Sequence, residues 1–259
     1  MNMNTWTEKS IKLVRKAGYL DTLSAIYVMN INPHRPLSKE AEGKIRNAFL
    51  DKKDKDLVHL LIRNEIFPVK DSYVGFLRLN PLAIDQNPIT IKRIVKRLYA
   101  LGVDGLIREA TRPKETNRQL GNSFKKWLTQ LGYHILGPED FTHTSGTAIL
   151  AGSDKTLKKY AIAHFGSTLT KGIDFILKKN GRYLMGEAKF LTTPGGEQNG
   201  GFEDASKFIN GAHEKKVKRI ALLDGYIWLE SKSGLHSKIV NNNLDIFSAL
   251  LLPEYIKKF

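Results

Sequence analysis

Two carboxylates and a lysine stand at a spacing that suits chemistry on a phosphodiester. Asp174 opens one apolar run, Glu187-Ala188-Lys189 closes a second, and Asn180-Gly181 lies between them. Asn-Gly flanked by apolar runs predicts a two-residue β-hairpin turn. Such a turn sets the register: Lys179 faces Arg182, and counting outward puts Asp174 opposite Glu187. Opposed side chains on a sheet have Cβ atoms about 4.5–5.5 Å apart, and like charges there destabilise. A cation between the two acids removes that repulsion. Lys189, two residues beyond Glu187, shares their face. The other face collects Ile173, Phe175, Leu177, Leu184, Gly186, Ala188 and Phe190 and is expected to be buried. Ile176, Tyr183 and Met185 join the charged face and lower its local dielectric.

Two hard oxygen ligands at one point suit Mg²⁺, which keeps several waters and binds through one or two carboxylates plus substrate phosphate. A Mg²⁺ there can bind a phosphodiester oxygen and help generate hydroxide. Lys189 would then stabilise developing negative charge or assist proton removal. The competing reading is a set of salt bridges within a surface hairpin. Against it stand the direct opposition of the acids and the apolar far face.

The elements that must position this hairpin read in chain order. Residues 1–112 are expected to form a mainly helical N-terminal domain. Thr7 is the expected cap of its first helix. Thr90 is the expected cap of a helix whose apolar stripe runs Ile91, Ile94, Val95, Leu98, and whose other side carries Lys92, Arg93, Lys96 and Arg97. Residues 113–259 form the second domain. Leu120, Phe124, Trp127, Leu128 and Leu131 mark an amphipathic helix over Thr116–Leu131. A strand at 133–136, a loop at 137–152 and a helix capped by Ser153 precede the hairpin. After it come a glycine-rich loop over 193–201, a helix from Phe202, a strand at 219–223 buried on both faces, a strand at 226–229 and a final helix. The expected fold class is mixed α/β.

The chain has 259 residues with 41% apolar content, enough for a substantial core. Lys and Arg number 41 against 26 Asp and Glu, a net charge of +15, which favours a polyanionic partner such as nucleic acid. A basic surface kept for solubility is the plainer alternative. There is no cysteine, which excludes disulfides, zinc–thiolate sites and thiol catalysis and fits a reducing cytoplasm. The N-terminus carries no signal-peptide pattern, and no apolar run approaches the roughly 20 residues of a membrane span. The histidines form no pair at metal spacing, and no Walker loop, GxSxG or GxGxxG occurs.

Asp174, a hairpin, then Glu187-Ala188-Lys189 resembles the PD-(D/E)xK nuclease motif, with Ile173 where the motif name has proline. The order of elements over roughly residues 116–230 is similar to that superfamily's αβββαβ core, a central mixed sheet flanked by helices. The size, the N-terminal helical addition and the Gly195–Gly201 stretch look most like a type II restriction endonuclease. The resemblance implies that Asp174 and Glu187 bind Mg²⁺, that the Ala188 carbonyl adds a ligand, and that Lys189 aids the attacking water. It further implies cleavage of double-stranded DNA at a short specific sequence, 5′-phosphate and 3′-hydroxyl ends, a homodimer so that two sites cut two strands, and a prokaryotic cytoplasm. Some members carry a further acid on the first core helix; Glu115, just before that helix, is the candidate. Gln198 and Asn199, beyond the active face, and Lys171 are the candidate DNA contacts. A repair or junction-cleaving nuclease of the same core, and a non-enzymatic basic DNA-binding protein, remain alternatives.

Overall fold

The computed structural model describes residues 3–28, 36–64, 66–112, 116–192, 196–211, 214–230 and 234–259. The chain divides into two compact units, one of residues 1–29 with 117–259 and one of residues 30–116. The boundary expected at 112/113 thus lies a few residues from the observed one. The first 29 residues, expected with the helical domain, belong to the sheet-bearing unit instead.

Helices α1 (Thr5–Val14) and α2 (Tyr19–Leu23) open the chain. Asn4, not Thr7, caps α1 by accepting from the Trp6 N–H. Thr7 donates instead to the Ile246 carbonyl at 2.8 Å, and Ser10 accepts from the Ser248 N–H at 2.9 Å. Trp6 packs its ring on Phe247 and Tyr255. Tyr19 and Tyr27 both donate to Asp224, at 3.2 and 3.0 Å, and this carboxylate is fully buried. Burial pushes the Asp224 carboxyl up, opposed by these hydroxyls, Ser248 and the Ala249 N–H. These links explain why residues 1–29 depart from the helices that follow them. Their partners lie far along the chain, on the helix Thr116–Thr129 and among residues 190–256, which periodicity cannot reveal.

The second unit contains α3 (Lys39–Leu50), α4 (Asp54–Ile62), α5 (Val74–Leu79), α6 (Ala83–Gln86), α7 (Pro88–Ala100) and α8 (Gly102–Ala110) around one apolar core. Proline at the first position of α7 removes an N–H that had no partner there, so this helix starts before the expected Thr90. On its basic side Arg93 and Arg97 both reach Asp71, while Lys92 and Lys96 stay exposed.

The first unit resumes with α9 (Thr116–Thr129), β1 (His134–Leu136), α10 (Pro138–His143), β2 (Ala148–Leu150), α11 (Asp154–Phe165), β3 (Phe175–Lys179), β4 (Arg182–Leu191), α12 (Gly196–Ile209), β5 (Val217–Gly225), α13 (Leu235–Val240), β6 (Ile246–Phe247) and α14 (Leu252–Lys258). Six strands form one mixed sheet in the order β1 to β6, antiparallel at β2–β3 and β3–β4 and parallel elsewhere. Helices cover both faces. One layer joins Phe124, Phe175, Leu184, Ile220, Leu222 and Phe247; the opposite side holds Ile176, Met185, Ala221 and Leu223. The even and odd residues of β5 enter opposite layers, as expected of a doubly buried strand.

The loop expected over 137–152 instead holds α10 and β2. Two further expectations fail for local reasons. Residues 226–228 form a 3₁₀ turn, not a strand, because Gly225 turns at φ 93° and the Trp228 indole donates to the Leu223 carbonyl. The final helix is broken: Asn242 accepts from the Leu244 N–H, and the chain then enters β6.

Removing residues 1–28 should therefore abolish cooperative folding of the sheet-bearing unit. Each donor taken from a buried acceptor costs about 1–3 kcal/mol, and Asp224 loses two. A urea titration followed by circular dichroism should show no cooperative transition for that unit; an unchanged midpoint would refute the assignment.

Candidate active site

The turn forms as its residues dictate: Asn180 and Gly181 both adopt positive φ, 51° and 71°, the geometry of a primed hairpin turn. The pairs run from Lys179↔Arg182 to Phe175↔Gly186 in the expected register. There β3 ends. β4 continues to Leu191, held only by β5 through pairs from Glu187↔Ala221 to Leu191↔Gly225. The acids therefore stand where one strand stops and its neighbour projects past it.

Asp174 is the residue just before β3. Its N–H donates to the Gly186 carbonyl at 3.0 Å, and its Oδ2 accepts from the Ala188 N–H at 2.8 Å. The side chain is thereby fixed to the backbone that carries Glu187 and Lys189. The pleat does not continue beyond this point. Ile173, expected beside Phe175, packs with Ile176 and Met185 on the opposite face. Gly186 lets the Phe175 ring lie against the strand, since a Cβ there would sit 2.0 Å from its Cε1.

Lys189 Nζ lies 2.8 Å from Glu187 Oε1, and both side chains are mostly covered. Burial pushes the Asp174 carboxyl up to about 6; the Ala188 N–H and Lys125 oppose the rise, while Asp154 and Glu187 add to it. The repulsion anticipated from the register is felt, in part, as this shift. Lys125 and Asp154 form an ion pair beside the site. Ser153 caps α11, and Gly172 admits the close approach of Asp154, whose Cβ would lie 2.5 Å from a Cβ at position 172.

An open cleft of about 380 Å³ lies at the projecting end of β4. Ala188–Leu191 form its floor, with Tyr27, Leu120 and Gly121 on one side and Gly200, Gly201 and Asp204 on the other. Asp204, on α12, receives Lys171 at 2.7 Å and Lys189 at 3.5 Å. Sequence reading missed Asp204, Lys125 and Asp154. The only signal was position: Asp204 follows Gly201 by one helical turn, and Asp154 begins a capped helix.

The remaining candidates fall differently. Lys171 is exposed and belongs to this cluster through Asp204. Gln198 and Asn199 lie in the helical backbone of α12 and not in a loop, because the helix starts at Gly196; their side chains lie outside the described residues. Glu115 and residues 193–195 also lie outside the described residues. Among the described residues no three acids or histidines converge into a metal-holding group. The donor set at the hairpin is two carboxylates, with Asp174 Oδ2 engaged by the Ala188 N–H and Glu187 Oε1 by the Lys189 ammonium among the described residues.

A family model describing the Tsp45I type II restriction enzyme matches residues 4–259. The chain belongs to that family. The match spans both units, so the Tsp45I family architecture includes the helical unit as well as the sheet. Membership makes the protein a site-specific restriction endonuclease acting on DNA. No curated protein and no solved structure matches the chain. Among the described residues no helix is long and apolar enough to cross a membrane.

The raised Asp174 carboxyl has a consequence for stability. The folded chain binds this proton near pH 6 and the unfolded chain near pH 3.8, so stability falls as pH rises through that window. The full penalty, about 3 kcal/mol, is present above the folded value. Asp174→Asn should thus stabilise the metal-free protein at pH 8, by about 1–3 kcal/mol, and change little near pH 4. Urea midpoints in EDTA at the two pH values check this; a lower midpoint at pH 8 would contradict it.

Proposed function

We propose that this member of the Tsp45I family is a Mg²⁺-dependent type II restriction endonuclease with a PD-(D/E)xK core. It cuts double-stranded DNA at a short specific sequence as a homodimer, leaving 5′-phosphate and 3′-hydroxyl ends. The observation that carries the reading is one cluster: Asp174 anchored to the Ala188 N–H at 2.8 Å, and Lys189 at 2.8 Å from Glu187, all at the projecting end of β4. With β1, α10 and α11 taken as additions, the order α9, β2, β3, β4, α12, β5, with an antiparallel trio and a crossover to a parallel strand, supports an αβββαβ core.

The donor chemistry fits a hard divalent cation. Asp174, Glu187 and the Ala188 carbonyl would hold it, and a cation there would favour the ionised form of the buried Asp174 carboxyl. Bound Mg²⁺ would polarise the scissile phosphate and lower the pKa of a coordinated water. Lys189 would carry a fixed positive charge beside the attacking oxygen, where developing negative charge is best met by a preorganised donor. The net charge of +15 draws the duplex in. Lys171, with Gln198 and Asn199 at the start of α12, would contact DNA beside the cleft. Glu115, preceding α9, is a further candidate acid. The helical unit would read DNA, join two copies, or do both.

Plasmid digestion with Mg²⁺ should give discrete bands, and mapped ends should carry 5′-phosphates. Lys189→Ala should lower the cleavage rate by about a hundred- to ten-thousand-fold, and Asp174→Ala should abolish it. Both should retain DNA binding in Ca²⁺. A smear or branch-dependent cutting would favour a repair or junction nuclease. Absence of cleavage with every divalent ion, or full activity in either variant, would overturn the proposal.

A further inference from the structure

We infer that Asp204 is a positioning residue for Lys189, and that Lys171 is its exchangeable counter-ion, handed to the DNA backbone when substrate arrives. The inference rests on the nuclease reading of Lys189. Helix α12 lies directly against β4 because position 201 is glycine: a Cβ there would come within 3.0 Å of Leu191 Cδ2 and 3.7 Å of Lys189 Cδ. Asp204, one turn further on, shares that helix face. Its Oδ2 is 3.5 Å from Lys189 Nζ and 2.7 Å from Lys171 Nζ. Lys189 thus stands between two carboxylates, Glu187 at 2.8 Å and Asp204 at 3.5 Å.

These two carboxylates have different obligations. Glu187 belongs to the acid pair at the end of β3, and any cation held there competes with Lys189 for it. Asp204 approaches from the helix and is free of that competition, so it can keep the ammonium over the cleft. Lys171 is 71% exposed, and an exposed ion pair of this kind is worth little. A phosphate displaces it easily. With Lys171 on the DNA backbone, Asp204 has Lys189 as its remaining partner in this cluster, which draws the ammonium from Glu187 toward the cleft. DNA engagement and Lys189 placement are then one event.

The test uses the full chain in three variants, Asp204→Asn, Asp204→Glu and Lys171→Gln, with single-turnover cleavage in Mg²⁺ and DNA affinity in Ca²⁺. Asp204→Asn should slow the saturated cleavage rate by about 10- to 100-fold while the Kd for DNA stays within twofold. Asp204→Glu should recover part of the rate. Lys171→Gln should raise the Kd and reduce the salt dependence of binding by about one unit of slope. A wild-type rate in Asp204→Asn overturns the inference. So does a loss that appears only in Kd, or one that tracks a lowered Tm. An unchanged salt slope in Lys171→Gln overturns the counter-ion exchange. Wild-type protein that does not cut DNA counts against the nuclease reading; wild-type cleavage with an unaffected Asp204→Asn counts against Asp204 alone.

Discussion

Two carboxylates held close together in a poorly solvated corner are the constraint around which this structure is arranged. Neither Asp174 nor Glu187 can move away. Asp174 is tied to the Ala188 N–H on the same strand segment that carries Glu187 and Lys189. Glu187 is fixed by a β4 that stays paired to β5 after β3 has ended. Burial raises the Asp174 carboxyl, and Asp154 and Glu187 add to the rise.

The end of β3 is what makes that constraint useful. Had β3 run on beside β4, its backbone would cover the edge at Ala188–Leu191. Stopping at Phe175 opens the cleft, and α9 and α12 supply its walls. One glycine sets how near a wall comes: Gly201 allows α12 to rest on Leu191 and the Lys189 stem. The stretch of β4 beyond the end of β3 is held by β5, which is buried on both faces.

A second buried carboxylate ties distant parts of the sheet-bearing unit together. Asp224, at the end of β5, gathers Tyr19 and Tyr27 from the N-terminal segment and Ser248 and Ala249 from the C-terminal one. Tyr27 also lines the cleft and packs edge-on to Phe190. The polar anchor that closes the unit therefore supports a wall of the site. A buried charge without its donors is expensive, so the two ends of the chain must meet for either to be stable.

Local chemistry settled much of this in advance. Asn180-Gly181 demands a primed turn, the turn demands the register, and the register brings Asp174 toward Glu187 with Lys189 beside it. The doubly apolar run of β5 and the Ser153 cap follow from equally local rules. The partners that lie far apart in sequence did not show. Nothing within residues 1–29 indicates that Thr7, Ser10, Tyr19 and Tyr27 have partners near residues 224 and 246–248. Nothing near Asp204 indicates that a lysine lies across from it, since the glycines in the first turns of α12 read as a loop. Sequence alone determined which residues share a strand face from Phe175 to Gly186, because a two-residue pleat and a two-residue turn leave no freedom there, whereas Ile173, beyond the end of β3, departs from that pattern. Only the tertiary structure decided where β3 stops and which helix leans over the gap, because those depend on the close approach of segments that no local rule relates.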